Sequence, residues 1–166
     1  MRHLLPALLA AAFSAAAPAQ VAGLNVLASG APGDEVATPQ VRAQLLAYAP
    51  QGVPVGAEAA EAANAARRPV WLGLRLEHQP HWHTYWKNPG DSGLPTKLEW
   101  TLPPGVRAGE IQWPLPQRLP LGPLVNYGYE GTVLLPVPLT ITPEFEPGPA
   151  AEAMEVRLHA SWLVCK

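Results

Sequence analysis

The clearest signal along the chain is alternation. Val70, Leu72, Leu74 and Leu76 fall on one parity, and Gly73, Arg75 and Glu77 on the other. Successive side chains of an extended chain point to opposite faces, so this period of two predicts a half-buried strand. Leu98, Trp100 and Leu102 alternate in the same way with Lys97, Glu99 and Thr101. Val133, Leu135, Val137, Leu139 and Ile141 repeat the pattern, with Pro136 and Pro138 on the opposite phase. Proline cannot donate to a ladder, which predicts that this strand lies at an edge or carries a bulge. Val41, Ala43, Leu45 and Ala47, set against Arg42 and Gln44, give an earlier strand.

The longest pattern closes the chain, from Met154 to Cys165. Met154, Val156, Leu158, Ala160, Trp162 and Val164 form an unbroken apolar face. Glu155, Arg157, His159, Ser161, Leu163 and Cys165 form the other, mostly polar one. Short alternating segments between turn-rich stretches predict an all-β fold, an immunoglobulin-like antiparallel β-sandwich. No helical periodicity and no internal repeat competes with it. The Ala/Glu-rich stretch 50–67 reads equally as a turn of helix or an extended surface loop, isolated by Pro50, Pro54 and Pro69.

Composition sharpens this picture. With 21 prolines and 14 glycines in 166 residues, long helices are excluded. The net charge is −2 and there is no run of Lys or Arg, so nothing points to nucleic acid. The chain opens with Met1-Arg2-His3, an apolar Leu/Ala run to Ala17, and small residues before Gln20. That order predicts a signal peptide over 1–19, and the run is shorter than the ~20 residues a membrane span needs. Residues 20–39, rich in Ala, Gly, Pro and Ser, read as a flexible arm, and 40–166 as the folded domain.

A single cysteine in an exported chain suggests a missing partner or a reactive thiol. By parity Cys165 projects away from the main core at a strand end, beside Lys166, whose charge favours the thiolate. Parity makes the thiol accessible and no more. A half-exposed structural thiol remains an alternative at this point.

Three segments carry a family likeness. The run His81-Trp82-His83-Thr84-Tyr85-Trp86-Lys87-Asn88-Pro89-Gly90-Asp91-Ser92-Gly93-Leu94-Pro95-Thr96 resembles a signature of the DsbD and ScsB-like thiol:disulfide interchange proteins. So does Gly122-Pro123-Leu124-Val125-Asn126-Tyr127-Gly128-Tyr129-Glu130-Gly131. Trp162-Leu163-Val164-Cys165-Lys166 resembles the strand that opens that family's redox motif. The resemblance spans roughly residues 70–166.

It implies a periplasmic immunoglobulin-like domain in a protein-disulfide reductase. Such a domain takes reducing equivalents through a membrane domain and a thioredoxin-like domain. It passes them to thioredoxin-fold periplasmic proteins, of the disulfide-isomerase or cytochrome-maturation type. Cys165 matches the first cysteine of the family's redox pair, as nucleophile or attacked sulfur. Asn126, Tyr127, Gly128, Tyr129 and Glu130 match the family's cap loop, with Tyr127 and Tyr129 as shielding rings. Trp82, His83, Tyr85, Trp86, Asn88 and Asp91 belong to the signature loop. No cofactor is implied. Two departures stand out: the second cysteine, with the membrane and thioredoxin-like domains, lies outside this sequence, which reads as a fragment or truncated product. His81 also stands where the family pattern has Gly.

Other chemistry is weaker. His78, His81 and His83 read as surface or turn histidines. The alternative is a copper module in copper tolerance, using His81, His83 and Cys165. A non-catalytic interaction domain is a further alternative. Trp71, Trp82, Trp86, Trp100, Trp113 and Trp162 read mainly as packing. Asn88-Pro89-Gly90-Asp91-Ser92-Gly93 is turn chemistry, with no Ser-His-Asp arrangement around Asp91 and Ser92.

Overall fold

The polar–apolar alternation folds as the pattern predicts, into two antiparallel sheets. The computed structural model describes residues 20–28, 35–60, 69–147 and 154–166. Its strands in chain order are β1 (Gln20–Ala28), β2 (Glu35–Ala37), β3 (Val41–Tyr48), β4 (Val70–His78), β5 (His83–Gly90) and β6 (Lys97–Thr101). Then follow β7 (Val106–Ala108), β8 (Gln117–Leu121), β9 (Leu124–Glu130), β10 (Thr132–Ile141) and β11 (Val156–Cys165). One sheet runs β1-β11-β5-β9-β8, with β6 also paired to β11. The other runs β2-β3-β4-β10-β7. The expected signal peptide lies outside the described residues. Residues 20–28, expected as part of a loose arm, run as a strand along β11, Gln20 opposite Val164 and Ala28 opposite Val156.

The inner faces meet in one core. Val41, Ala43 and Leu45 of β3, Leu72, Leu74 and Leu76 of β4, and Leu135 of β10 face Val156, Leu158, Ala160, Trp162 and Val164 of β11. All are buried, and burying one such aliphatic side chain stabilises by about 1.5–3 kcal/mol. This is an immunoglobulin-like β-sandwich. The alternation of β3 ends at Leu45, because Ala47 is already exposed where the strand leaves the core. Within 50–67, residues 57–60 are helical and bury Ala59.

The prolines of β10 explain themselves in register. Pro136 and Pro138 sit opposite Gly73 and Trp71 of β4, while β7 covers β10 only at Leu139–Ile141. Beside the prolines no strand pairs on that flank. There the Pro136 carbonyl accepts from the Gln112 N–H and the Pro138 carbonyl from the Gly109 N–H, each at 2.8 Å. So the strand is interior by its order in the sheet and edge-like where the prolines lie.

The chain crosses between sheets at 79–82. The Trp82 N–H bonds the Gln79 carbonyl at 3.0 Å, and His81 holds φ 71°. Pro80 followed by a positive φ is type II turn chemistry, which favours glycine at the third position. His81 is the one non-glycine with positive φ among the described residues. This supplies a physical reason for the glycine expected there. His81→Gly relieves left-handed strain of about 1–2 kcal/mol and gives part of it back through a more flexible unfolded chain. The expected result is a net gain of about 0.5–1 kcal/mol in urea unfolding; a loss would show that the imidazole makes a compensating contact.

Candidate functional site

Cys165 ends β11 with the orientation its parity predicts: Val164 is buried in the core and Cys165 is half-buried on the outer face. Two cross-strand rows define its surroundings. Cys165 lies opposite His83 of β5, and His83 lies opposite Glu130 of β9. The next row is Val164, Thr84 and Tyr129. Side chains in one row share a face and adjacent rows alternate. The first row therefore faces outward, and the second faces the core, where Val164, Thr84 and Tyr129 are all buried.

This arrangement corrects the expected shield. Asn126 to Glu130 is not a loop but most of β9, paired on both sides, to β5 and β8. Tyr129 belongs to the core, 4% exposed, and its hydroxyl donates to the Pro114 carbonyl at 2.8 Å. Burial pushes that phenol up to about 12. Tyr127 is partly exposed and stacks edge-on with Trp86, ring centres 6.5 Å apart; Trp86 in turn carries Lys87 over its ring. Neither ring belongs to the thiol's row. An alternating strand offers every second residue to the core, which no reading of the segment as a loop could show.

Tyr85 shares the thiol's face. It lies two residues beyond His83 on the outer face, which places it diagonally across from Cys165. Burial above all pushes its phenol up to about 12, so it stays protonated. Tyr85 is only 2% exposed although it stands outside the main core cluster. Its cover is the signature segment. Residues 83–90 of that segment are β5 itself, and 91–96 fold back so that Pro95 bridges Tyr85. A Cβ on Gly93 would lie 2.3 Å from the ring's Cε1 atom, so the loop backbone rests directly on the phenol. Asn88 and Asp91 are exposed and Trp82 is half-buried against the core.

His83 packs edge-on against Tyr85, ring centres 5.1 Å apart. It is 6% exposed, and its Nε2 has no hydrogen-bond partner among the described residues. His78 is buried as well, with Nδ1 donating to the Gly131 carbonyl at 2.7 Å and Nε2 accepting from the Thr84 hydroxyl at 3.0 Å. The expectation of surface histidines thus fails for His78 and His83 and holds for His81, exposed in its turn. A neutral imidazole that finds both a carbonyl and a hydroxyl can be buried at little cost. Among the described residues no three His, Cys, Asp or Glu side chains are grouped to hold a metal, so His81, His83 and Cys165 do not assemble as a copper set.

Both buried histidines are held below the ordinary value of 6.5. For His78 burial dominates, opposed by the Gly131 carbonyl, with His83 lowering it further and Glu130 raising it; for His83 burial outweighs Glu130. With folded values depressed, the unfolded chain takes up protons first as pH falls. Their contribution is complete above about 6.5 and is lost as pH drops from there through the folded values. Urea midpoints are expected to fall on acidification below about 6.5, and His78→Gln to flatten that fall. A midpoint that rises with acid would contradict the buried neutral pair.

Residues 52–166 match the family described as thiol:disulfide interchange protein DsbD, N-terminal. Among solved structures, the N-terminal periplasmic domain of ScsB from Proteus mirabilis aligns at 17% identity with a TM-score of 0.47. That alignment covers 79% of this chain and 44% of the other. No curated protein sequence matches the chain.

Proposed function

The chain belongs to the family of N-terminal domains of the thiol:disulfide interchange protein DsbD, and on that premise we propose that it exchanges disulfides with periplasmic thioredoxin-fold proteins through Cys165. The observation that carries this reading is the placement of Cys165 at the end of β11. It is half-exposed on the outer face, with His83 directly across and Tyr85 on the diagonal. Thiolate is the attacking species and must meet the partner's disulfide directly, so a sulfur open to the outer face suits the step.

In the step itself, Cys165 loses its proton and its sulfur attacks one sulfur of the partner's disulfide. The new S–S bond forms as the partner's own breaks, and the displaced sulfur leaves as a thiolate that takes up a proton. The partner gains two electrons only when a second thiol attacks the mixed disulfide and is itself oxidised with Cys165. In this reading that thiol is the second cysteine of the family's redox pair, and the pair is recharged by a thioredoxin-like electron donor. Partners of the disulfide-isomerase or cytochrome-maturation type fit the role.

Trapping tests the first half of the step. The chain is mixed with a thioredoxin-fold disulfide isomerase that retains only its attacking cysteine, activated as a thionitrobenzoate disulfide. A one-to-one mixed disulfide with release of the coloured thiolate is expected, and none with Cys165→Ser. Failure of the unsubstituted domain to form the adduct would remove the reading.

A further inference from the structure

The outer face of the β5–β9 pair contains a second, smaller packed unit that adjoins the thiol. It comprises Tyr85, Leu119, Asn126 and the backbone of the 91–96 loop. Asn126 is completely buried, and its Oδ1 accepts both the Ser92 N–H at 3.0 Å and the Ser92 hydroxyl at 3.1 Å. One residue earlier, the Val125 N–H donates to Asp91 Oδ2 at 2.7 Å, and the Asp91 N–H returns a bond to the Val125 carbonyl at 3.0 Å. Gly90 makes the approach possible: at φ 93° its missing Cβ would lie 2.3 Å from the Val125 carbonyl. Four hydrogen bonds thus fasten the start of the loop to β9.

Resting on the exchange function proposed above, we propose that Asn126 and Asp91 are positioning residues for Cys165. They clasp the 91–96 loop to β9 so that its backbone holds Tyr85 in place beside the thiol on the outer face of the sheet.

The chain of contacts is continuous. The clasp fixes Asp91 and Ser92, the next residue Gly93 lies on the Tyr85 ring at a φ of 102°, and Tyr85 stands diagonally across from Cys165 on the same face. Tyr85 points away from the main core, so without the loop its ring would stand in water on the sheet surface. Its orientation depends on the cover rather than on the sandwich interior. The five-residue advance from Tyr85 to Gly90 spans only two residues of β9, and this irregularity leaves β5 without ladder support where the clasp takes over. The turn-forming Asn88–Gly93 segment therefore acts at a distance on the sulfur.

A double-mutant cycle reads the coupling. The unfragmented chain reacts with a small aromatic disulfide, 5,5′-dithiobis(2-nitrobenzoate), and the rate constant for Cys165 is followed across pH. Asp91→Ala, on the exposed side of the clasp, is expected to slow the reaction roughly three- to ten-fold. Asp91→Asn keeps an acceptor for the Val125 N–H and is expected to restore most of the rate. Tyr85→Phe is expected to slow it similarly, and Asp91→Ala added to Tyr85→Phe to slow it no further. Asn126→Ala should follow the same rule where it folds, and Asp91 carries the test where it does not. Two effects that multiply, or a folded Asp91→Ala protein that reacts at an unchanged rate, would overturn the proposal. Because the probe is a small molecule, a domain that ignores protein partners yet shows the coupled cycle would sink only the partner reading.

Discussion

Tyr85→Ala is expected to destabilise the domain by about 3–5 kcal/mol, as large aromatic truncations in well-packed sites do. Tyr85 is 2% exposed, with Gly93 on its face, Pro95 bridged to it and His83 against its edge. Little of that surround can collapse into the void, since it consists of a glycine backbone and a strand already bulged between Tyr85 and Gly90. Tyr85→Phe keeps the volume and removes only the hydroxyl, so it should cost about 1 kcal/mol. Urea unfolding measures both. A shifted midpoint with an unchanged slope marks lost stability. If alanine costs no more than phenylalanine, the ring is not the packed element described here.

Gly128→Ala is the second large effect. Gly128 sits opposite Tyr85 on β5 and Gln117 on β8. An added Cβ would lie 2.1 Å from the Thr84 carbonyl oxygen and 3.1 Å from Leu119 Cδ1. The nearer atom is backbone and cannot rotate away, so β5 and β9 must separate. Overpacking of this kind costs about 1–3 kcal/mol, and a rigid backbone contact puts Gly128→Ala at the upper end. The displacement passes through Thr84 to its register partner Val164, the residue before Cys165. Stability and thiol reactivity should therefore change together. A fully stable Gly128→Ala protein would mean that the two strands part easily.

Much of this fold was legible in the chain because period-two alternation reports burial directly. Leu72, Leu74 and Leu76, and Val156 to Val164, are buried on the parity that predicted it. The same parity placed Cys165 outside the core. β5, β8 and β9 were not readable as strands: glycine, proline and exposed apolar residues such as Leu121 and Leu124 blur their alternation. At the candidate site only the outward orientation of Cys165 was legible. Tyr85 and Cys165 are brought together by strand register, and the Asp91–Val125 and Ser92–Asn126 bonds join residues 34 apart. No local pattern encodes such pairings. The family likeness drew attention to both segments, but it suggested Tyr129 as a shield where geometry makes it a core residue. The buried histidines were missed for a related reason. Imidazole is polar in sequence, and only its partners, Gly131 and Thr84 for His78, show that it can be buried.

The most direct test of the central claim compares Cys165 in the domain with the same cysteine in a free peptide of residues 162–166. Both react with the thionitrobenzoate-activated, single-cysteine disulfide isomerase, and the second-order rate constants are measured side by side. If the fold orients the thiol for a thioredoxin-fold partner, the domain should react at least roughly ten-fold faster than the peptide, equivalent to ~1.4 kcal/mol of orientation and docking. A domain no faster than the peptide would contradict the account, leaving Cys165 an ordinary thiol at the end of a strand.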